Sequence, residues 1–354
     1  MMLLIPIACI LAWATTPLVI KAALRAGVVT DPKKNAHPGH THEGTLPRWG
    51  GLPIFIGFAV PTLVLAFSSK IIAWMLVGAT ITVIVGILDD AYDLSPYLRF
   101  VTNIVAAAVA VLGGIGIPFL TNPFGSVIPL DSMSISGSVW GMSFTLLWLA
   151  DIAAIIWIVW CMNMVNWSKG IDGQLPGFVA IAATVLGVLA MRFTRHDIST
   201  TEVMMVSFIV AAAYIGFLPW NFYPQRILAG YAAGSLAGYL LAVLSILSFG
   251  KLGTLLLVLS LPLTDALLVF IRRVRAKQSP FRGDRGHLHH SLLDMGWGRR
   301  RIAVFYWIVS AILGTFALTV SSQQKFVGFL IIGALLIGIV LWSYQMRKQL
   351  QERD

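Results

Sequence analysis

The stretch Gly86-Ile-Leu-Asp-Asp-Ala-Tyr-Asp-Leu-Ser-Pro96 sets three carboxylates within five positions at the end of a long apolar run. Asp89 and Asp93 are four apart and Asp90 and Asp93 three apart, so one further helical turn gives them a shared face. Like charges that close favour a divalent cation, or a proton on one of them, as a site that activates an acidic nucleophile requires. A solvated helix end closed by Ser95-Pro96 would carry the same residues without any chemistry.

Two further stretches crowd polar groups against apolar runs. In Asn163-Met-Val-Asn-Trp-Ser-Lys-Gly-Ile-Asp-Gly173 the amides of Asn163 and Asn166 lie one helical turn apart and could ligate a hard cation. Gly170 and Gly173 flank Asp172 in a turn through which backbone N–H groups can approach a phosphate or a nucleobase; a polar helix end with an ordinary glycine turn is the alternative. In Pro280-Phe-Arg-Gly-Asp-Arg-Gly-His-Leu-His-His290, Arg282, Arg285, His287, His289 and His290 offer many donors against Asp284 and the more distant Asp294, a balance suited to diphosphate oxygens. Zinc would need a fourth, cleanly spaced ligand, and no cysteine accompanies the histidines. The segment with His37, His40, His42 and Glu43 reads as a Gly- and Pro-rich loop in preference to a metal site. Asp151 and Asp265 fall within apolar runs, Asp265 near the end that carries the motifs.

The elements that must position these groups are set by composition. The chain is 58% hydrophobic and 11% charged, against roughly 25% charged in a soluble domain, and its mean hydropathy is +0.84. That excludes an ordinary soluble protein. Eleven apolar runs approach the length needed to cross about 30 Å of hydrocarbon as helix: 2–20, 51–68, 71–88, 98–117, 144–162, 176–191, 203–220, 232–249, 252–271, 302–320 and 326–344. The expected fold is therefore an all-α polytopic membrane bundle of about 11 transmembrane helices in a single domain over residues 1–354. Loops follow near 21–50, 89–98, 163–175, 221–231 and 272–301 on one side. On the other, 118–143 reads as a long external loop with room for a hairpin.

The basic residues orient it. Twenty of the 25 Lys and Arg fall in one alternate set of loops and the tail, five in the other, so the rich set is cytoplasmic, with the N-terminus outside and the C-terminus inside. All three polar stretches and six of the seven histidines then share the cytosolic side. The net charge of +10 is mostly this topology signal and gives little reason to expect nucleic acid. Residues 2–20 read as a retained span. Cys9 and Cys161 lie within runs, which argues against a disulfide framework.

Taken together, the stretches resemble the polyprenyl-phosphate N-acetylhexosamine-1-phosphate transferases, the membrane family that includes phospho-N-acetylmuramoyl-pentapeptide transferase. Asp31-Pro-Lys-Lys with Pro47-Arg-Trp-Gly-Gly51 is similar to its first cytoplasmic loop, and Gly86 to Asp90 with Leu94-Ser-Pro96 and Arg99 to its acidic loop. Asn163 to Gly173 looks like its nucleotide loop, and Asn221-Phe-Tyr-Pro-Gln-Arg-Ile227 like the start of the next. Pro262-Leu-Thr-Asp265, Arg272-Arg273, Ser279-Pro-Phe281 and Asp284 to His290 resemble the branch that transfers N-acetylglucosamine 1-phosphate.

The resemblance implies attack of a polyprenyl phosphate on the β-phosphorus of a UDP-N-acetylhexosamine at the cytosolic face of the cell membrane, with Mg²⁺ as cofactor. Asp89 and Asp90 would be catalytic and, with Asn166, hold the metal. Asp172 would contact uridine; His287, His289 and His290, with Arg282 and Arg285, the diphosphate; Arg48, Arg99 and Asn163 would complete substrate binding. The polyprenyl tail would lie in an apolar groove between spans, membrane lipid would surround the bundle, and self-association as a homodimer stays open.

At two positions the chain departs from the family pattern. Lys169 stands where an Asp usually precedes Gly-Ile-Asp-Gly, and Tyr231 where the family has an Asp that is a principal metal ligand. Neutral Tyr is a poor Mg²⁺ ligand and Lys repels the ion. An alternative function is therefore a catalytically weakened relative that binds polyprenyl phosphate or a nucleotide sugar as a regulator or partner. A transporter is disfavoured, because the polar groups cluster at one membrane face and no inverted repeat is evident.

Overall fold

The computed structural model describes residues 1–31, 44–122, 125–139, 142–192, 199–248, 252–278 and 286–351. Helices dominate: α1 Leu4–Arg25, α2 Gly51–Ala66, α3 Lys70–Tyr92, α4 Pro96–Leu112, α5 Trp148–Trp167, α6 Gln174–Met191, α7 Ser199–Asn221, α8 Gly230–Leu247, α9 Leu252–Val258, α10 Ser260–Arg275, α11 Leu288–Asp294, α12 Arg299–Thr319 and α13 Ser322–Gln351. Three antiparallel two-stranded ladders interrupt them: β1 Val29–Thr30 with β2 Leu46–Pro47, β3 Phe119–Leu120 with β4 Ile128–Pro129, and β5 Ile135–Val139 with β6 Met142–Leu146. Among the described residues, eight helices are long and apolar enough to cross a membrane, or nine if the bent pair α9–α10 forms one broken span. The apolar α2 and α4 are shorter, at 16 and 17 residues. The protein is a polytopic, all-α membrane protein.

Two expected elements differ. The run 252–271 is not one straight span, because α9 and α10 meet at an angle of 82°. Pro262 supplies the reason: it has no N–H to give the carbonyl four residues back, that of Val258, and Val258 is the last residue of α9. Within the first turn of α10 the missing donor costs nothing. The run 144–162 enters its helix only at Trp148, since Met142–Leu146 is taken up as β6.

The core is centred on α8, which is buried along nearly its whole length and packs against α3 and α5. Small residues permit that closeness: a Cβ on Gly86 of α3 would meet the backbone of Ala232, and one on Gly238 of α8 the backbone of Cys161. The C-termini of α3 and α5 are thereby held beside the N-terminus of α8, where the acidic and amide motifs lie.

The connections bring five segments to this one end. Between α3 and α4 the chain reverses in three residues. Asp93, at φ 53°, ends α3 with its N–H on the Asp89 carbonyl (2.8 Å), and the Ser95 Oγ accepts from the Leu98 N–H (3.3 Å) ahead of Pro96. The β1–β2 ladder, continued by Leu228 N–H donating to the Pro47 carbonyl (2.9 Å), ties the segment before α2 to the one before α8. The Ser168 hydroxyl donates to the Pro262 carbonyl (3.1 Å), joining the α5–α6 turn to α10.

Candidate active site

Asp89 and Asp90 close α3 at 1% and 2% exposure. Bare carboxylates so enclosed need cationic or hydrogen-bonding partners, and each has them. Arg99, one turn into α4, places its Nε 2.5 Å from Asp89 Oδ1 and reaches Asp93 Oδ1 at 3.2 Å. Arg48 stands 3.6 Å from Asp90 Oδ1, which also accepts the Tyr231 N–H at 2.9 Å. The expected shared face of three carboxylates is not formed. The left-handed turn at Asp93 swings its side chain into solvent, 79% exposed, and only Arg99 joins it to Asp89.

Lys169 is the third cation. Its ammonium donates to Asn166 Oδ1 (2.7 Å) and to the Gly230 carbonyl (2.5 Å), bridging the α5–α6 turn to the start of α8. Burial pushes its pKa down to about 8 despite the opposing pull of Asp90 and Asp89, so at neutral pH the charged form predominates. Arg99 and Lys169 both lie near the Tyr231 ring, at 5.3 Å and 5.7 Å from its centroid, where the negative π-face attracts them. The Tyr231 hydroxyl donates to Asn103 Oδ1 (3.3 Å) on α4. Tyr231 is thus a spacer between cations, not an oxygen offered to a metal. Around the buried pair, three cations face two carboxylates, an electrostatic surplus suited to an anionic substrate.

The remaining residues form the flank of this centre. Asp172, 2% exposed, takes the Gln225 Nε2 on Oδ1 (3.0 Å) and has Arg299 3.9 Å from Oδ2. Asn221 orders the same turn: its Oδ1 accepts from Gly173 N–H (3.1 Å), while its Nδ2 donates to Gln225 and to the Ile227 carbonyl. Asp265, buried in α10, holds His287 Nδ1 at 3.1 Å and accepts the Leu288 N–H at 2.7 Å. The rings of His287 and His289 stack at 5.3 Å, His289 and His290 lie 4.4 Å apart, and His289 packs so closely on Gly170 that a Cβ there would strike its ring. Burial, followed by the neighbouring His290 and His287, holds the His289 pKa well below the ordinary histidine range, so this ring is neutral. His287 keeps solvent access that His289 and His290 lack. Asn163 is not drawn in: its Nδ2 donates to the Val159 carbonyl (2.7 Å) of its own helix. Arg282, Arg285 and the loop His37 to Glu43 lie outside the described residues.

Sequence reasoning missed Gln225, Arg299, Asn103 and the organising role of Asp265. Gln225 stands inside the block Asn221 to Ile227; Arg299 sits in the basic run Arg299 to Arg301, and nothing in its spacing marks it out.

The expected Mg²⁺ set of Asp89, Asp90 and Asn166 does not fit that ion here. Asn166 Oδ1 is occupied by the Lys169 ammonium, Asp89 by Arg99, and Asp90 Oδ1 by Arg48 and the Tyr231 N–H. Asp90 Oδ2 is itself fully buried, against the backbone at the start of α8. Mg²⁺ demands near-octahedral oxygens at about 2.0–2.1 Å, and fixed cations at this distance from its ligands oppose it. Among the described residues, no group of three or more His, Cys, Asp or Glu side chains converges as a metal site.

Buried acids countered by guanidinium and ammonium groups therefore gather at one end of an apolar membrane-helix bundle. The family model of glycosyl transferase family 4 matches residues 72–249. Curated relatives align over nearly the whole chain. The "Probable undecaprenyl-phosphate N-acetylglucosaminyl 1-phosphate transferase" of Bacillus subtilis (strain 168) is 29% identical over 329 residues, 91% of this chain and 85% of its own. The "Decaprenyl-phosphate N-acetylglucosaminephosphotransferase" of Mycobacterium leprae (strain TN) is 30% identical over 364 residues, covering 93% and 86%. The "Undecaprenyl-phosphate alpha-N-acetylglucosaminyl 1-phosphate transferase" of Yersinia pestis is 24% identical, covering 93% and 86%. The chain belongs to glycosyl transferase family 4 and is a transferase embedded in the membrane.

Proposed function

We propose that this protein transfers N-acetylglucosamine 1-phosphate from its UDP-sugar to a polyprenyl phosphate, on the cytosolic side of a bundle of 11 spans. The observation that carries the reading is the buried Asp89–Asp90 pair set among Arg48, Arg99 and Lys169; the names of the relatives supply the substrate class. An oxygen of the lipid phosphate forms a bond to the β-phosphorus, and the bond from that phosphorus to the bridging oxygen breaks. The electron pair leaves on UMP, and a polyprenyl diphospho-sugar remains. With a dianionic lipid phosphate no proton changes hands; with a monoanion, the Asp90 carboxylate is the acceptor at hand. Arg48, Arg99 and Lys169 stabilise charge on the phosphate oxygens, while the neutral His289 and the Asp265-held His287 wall the site. UMP release from UDP-N-acetylglucosamine in membranes supplied with polyprenyl phosphate is the test. Release with neither substrate omitted, and none when the lipid phosphate is left out, is expected. Absence of release with retained binding of polyprenyl phosphate would instead favour the weakened relative, to which Lys169 and Tyr231 give some ground.

The orientation is supported by the distribution of Lys and Arg and by the return of α3, α5, α7 and α10 to one end. In a background lacking Cys9 and Cys161, Met295→Cys should be shielded from an impermeant thiol reagent in intact cells, whereas Ser132→Cys should label. The reverse pattern would place the site outside.

A further inference from the structure

We infer that the Lys169 ammonium takes the place of the divalent cation in this enzyme, so that transfer proceeds with the protein's own fixed charges and without a bound metal ion. The inference rests on the transferase reading for its substrate, and on geometry for everything else.

The ammonium takes up two oxygens at the edge of the carboxylate pair and feels the charge of both carboxylates. It is in contact with Asn166 Oδ1, the one neutral oxygen of the expected ligand set, and with the carbonyl of Gly230, the residue on which a Cβ would strike the Asp90 carboxylate. Two of its three N–H donors are thereby engaged, and the third remains for a substrate oxygen. Tyr231 matches this arrangement. An anionic side chain there would neutralise Lys169 or Arg99, whereas an aromatic face holds both cations near without cancelling their charge. The two departures from the family pattern are therefore one coupled change. A carboxylate is exchanged for an ammonium in the α5–α6 turn, and the carboxylate opposite gives way to a ring.

A tethered charge also differs from a bound ion in what it can do. Lysine supplies one positive charge as a donor of hydrogen bonds, not an open coordination shell, so it stabilises phosphate oxygens without orienting them octahedrally. Orientation then falls to Arg48 and Arg99, whose guanidinium groups each engage one carboxylate of the pair, Asp90 and Asp89 respectively.

The experiment uses the full chain in lipid nanodiscs at pH 7, stripped with EDTA. Wild type is expected to release UMP equally fast with EDTA and with added Mg²⁺, and Lys169→Met to lose about 100-fold without rescue by Mg²⁺. A wild-type rate that collapses in EDTA and returns with Mg²⁺ overturns the inference. Mn²⁺ binding, read by electron paramagnetic resonance, gives a second readout independent of turnover. Wild type should bind no Mn²⁺ at the site, and the double variant Lys169→Asp/Tyr231→Asp should acquire it. Binding by wild type as tight as by the double variant refutes the idea, as does a double variant that keeps its thermal transition yet binds none. If the double variant loses that transition, Lys169→Asp alone is read by the same criterion. Should no preparation turn over under any condition, the transferase reading fails, and the Mn²⁺ comparison alone decides whether Lys169 excludes the metal.

Discussion

Asp90→Asn is expected to reduce UMP release by at least about 100-fold, the lower end of what a positioned acid–base group contributes, with the protein still accumulating in the membrane. The substitution keeps the shape and leaves an oxygen for the Tyr231 N–H. It removes the negative charge that faces Arg48. Asp89→Asn should behave alike, because Arg99 would lose its buried partner. Asp93→Asn is the control: its carboxylate is exposed, Asn tolerates the left-handed backbone at that position, and a surface change of this kind should alter the rate by no more than about twofold. Comparable rates for Asp90→Asn and Asp93→Asn would remove the acidic pair from the mechanism.

Gly230→Ala should be nearly as damaging, although no functional group is touched. Gly230 has φ +73°, which costs an L-residue roughly 1–2 kcal/mol. Its new Cβ would also collide with the Asp90 carboxylate, which is the larger problem for catalysis. Displacing a reacting group by about 1 Å costs on the order of 100-fold. UMP release should therefore fall about that far while a modest drop in thermal stability accounts for the backbone strain. Gly253→Ala in α9, where nothing lies within 4 Å, should change neither property. If Gly230→Ala turns over normally, the Asp90 carboxylate does not need the position at which it is found.

Much of this centre is legible in the sequence, for identifiable reasons. Long apolar runs reveal spans because a membrane leaves no other use for them, and ionisable groups at their ends are costly unless they serve a site. Asp89, Asp90, Arg99 and Asp172 are legible on those grounds and by motif. The break after Val258 is not, because the run Leu255 to Leu263 stays apolar across it, and only Pro262 marks the place. The outward turn of Asp93 escapes a helical-spacing argument, which assumes that the helix continues. The partners of Asp172 and Tyr231 come from segments at least 50 residues away, and spacing along the chain carries no record of such meetings. Lys169 and Tyr231 stand out as departures from a pattern, but their relation to one another is purely spatial.

The burial of α8 bears on how the protein is made. Of the eight long spans it has the lowest hydropathy, 1.6, and the largest enclosed share, 89%; α13, at 2.4, is enclosed over only 17%. Helices leave the ribosome in order, so α3 and α5 enter the bilayer well before the helix that fills the slot between them. Until it arrives, Asp90 lacks the Tyr231 N–H and Lys169 lacks the Gly230 carbonyl. A nascent chain halted before residue 230 therefore holds ionisable groups at the membrane edge with their companions still unmade. Insertion of the least apolar span is the step of biogenesis that turns those groups into a working centre.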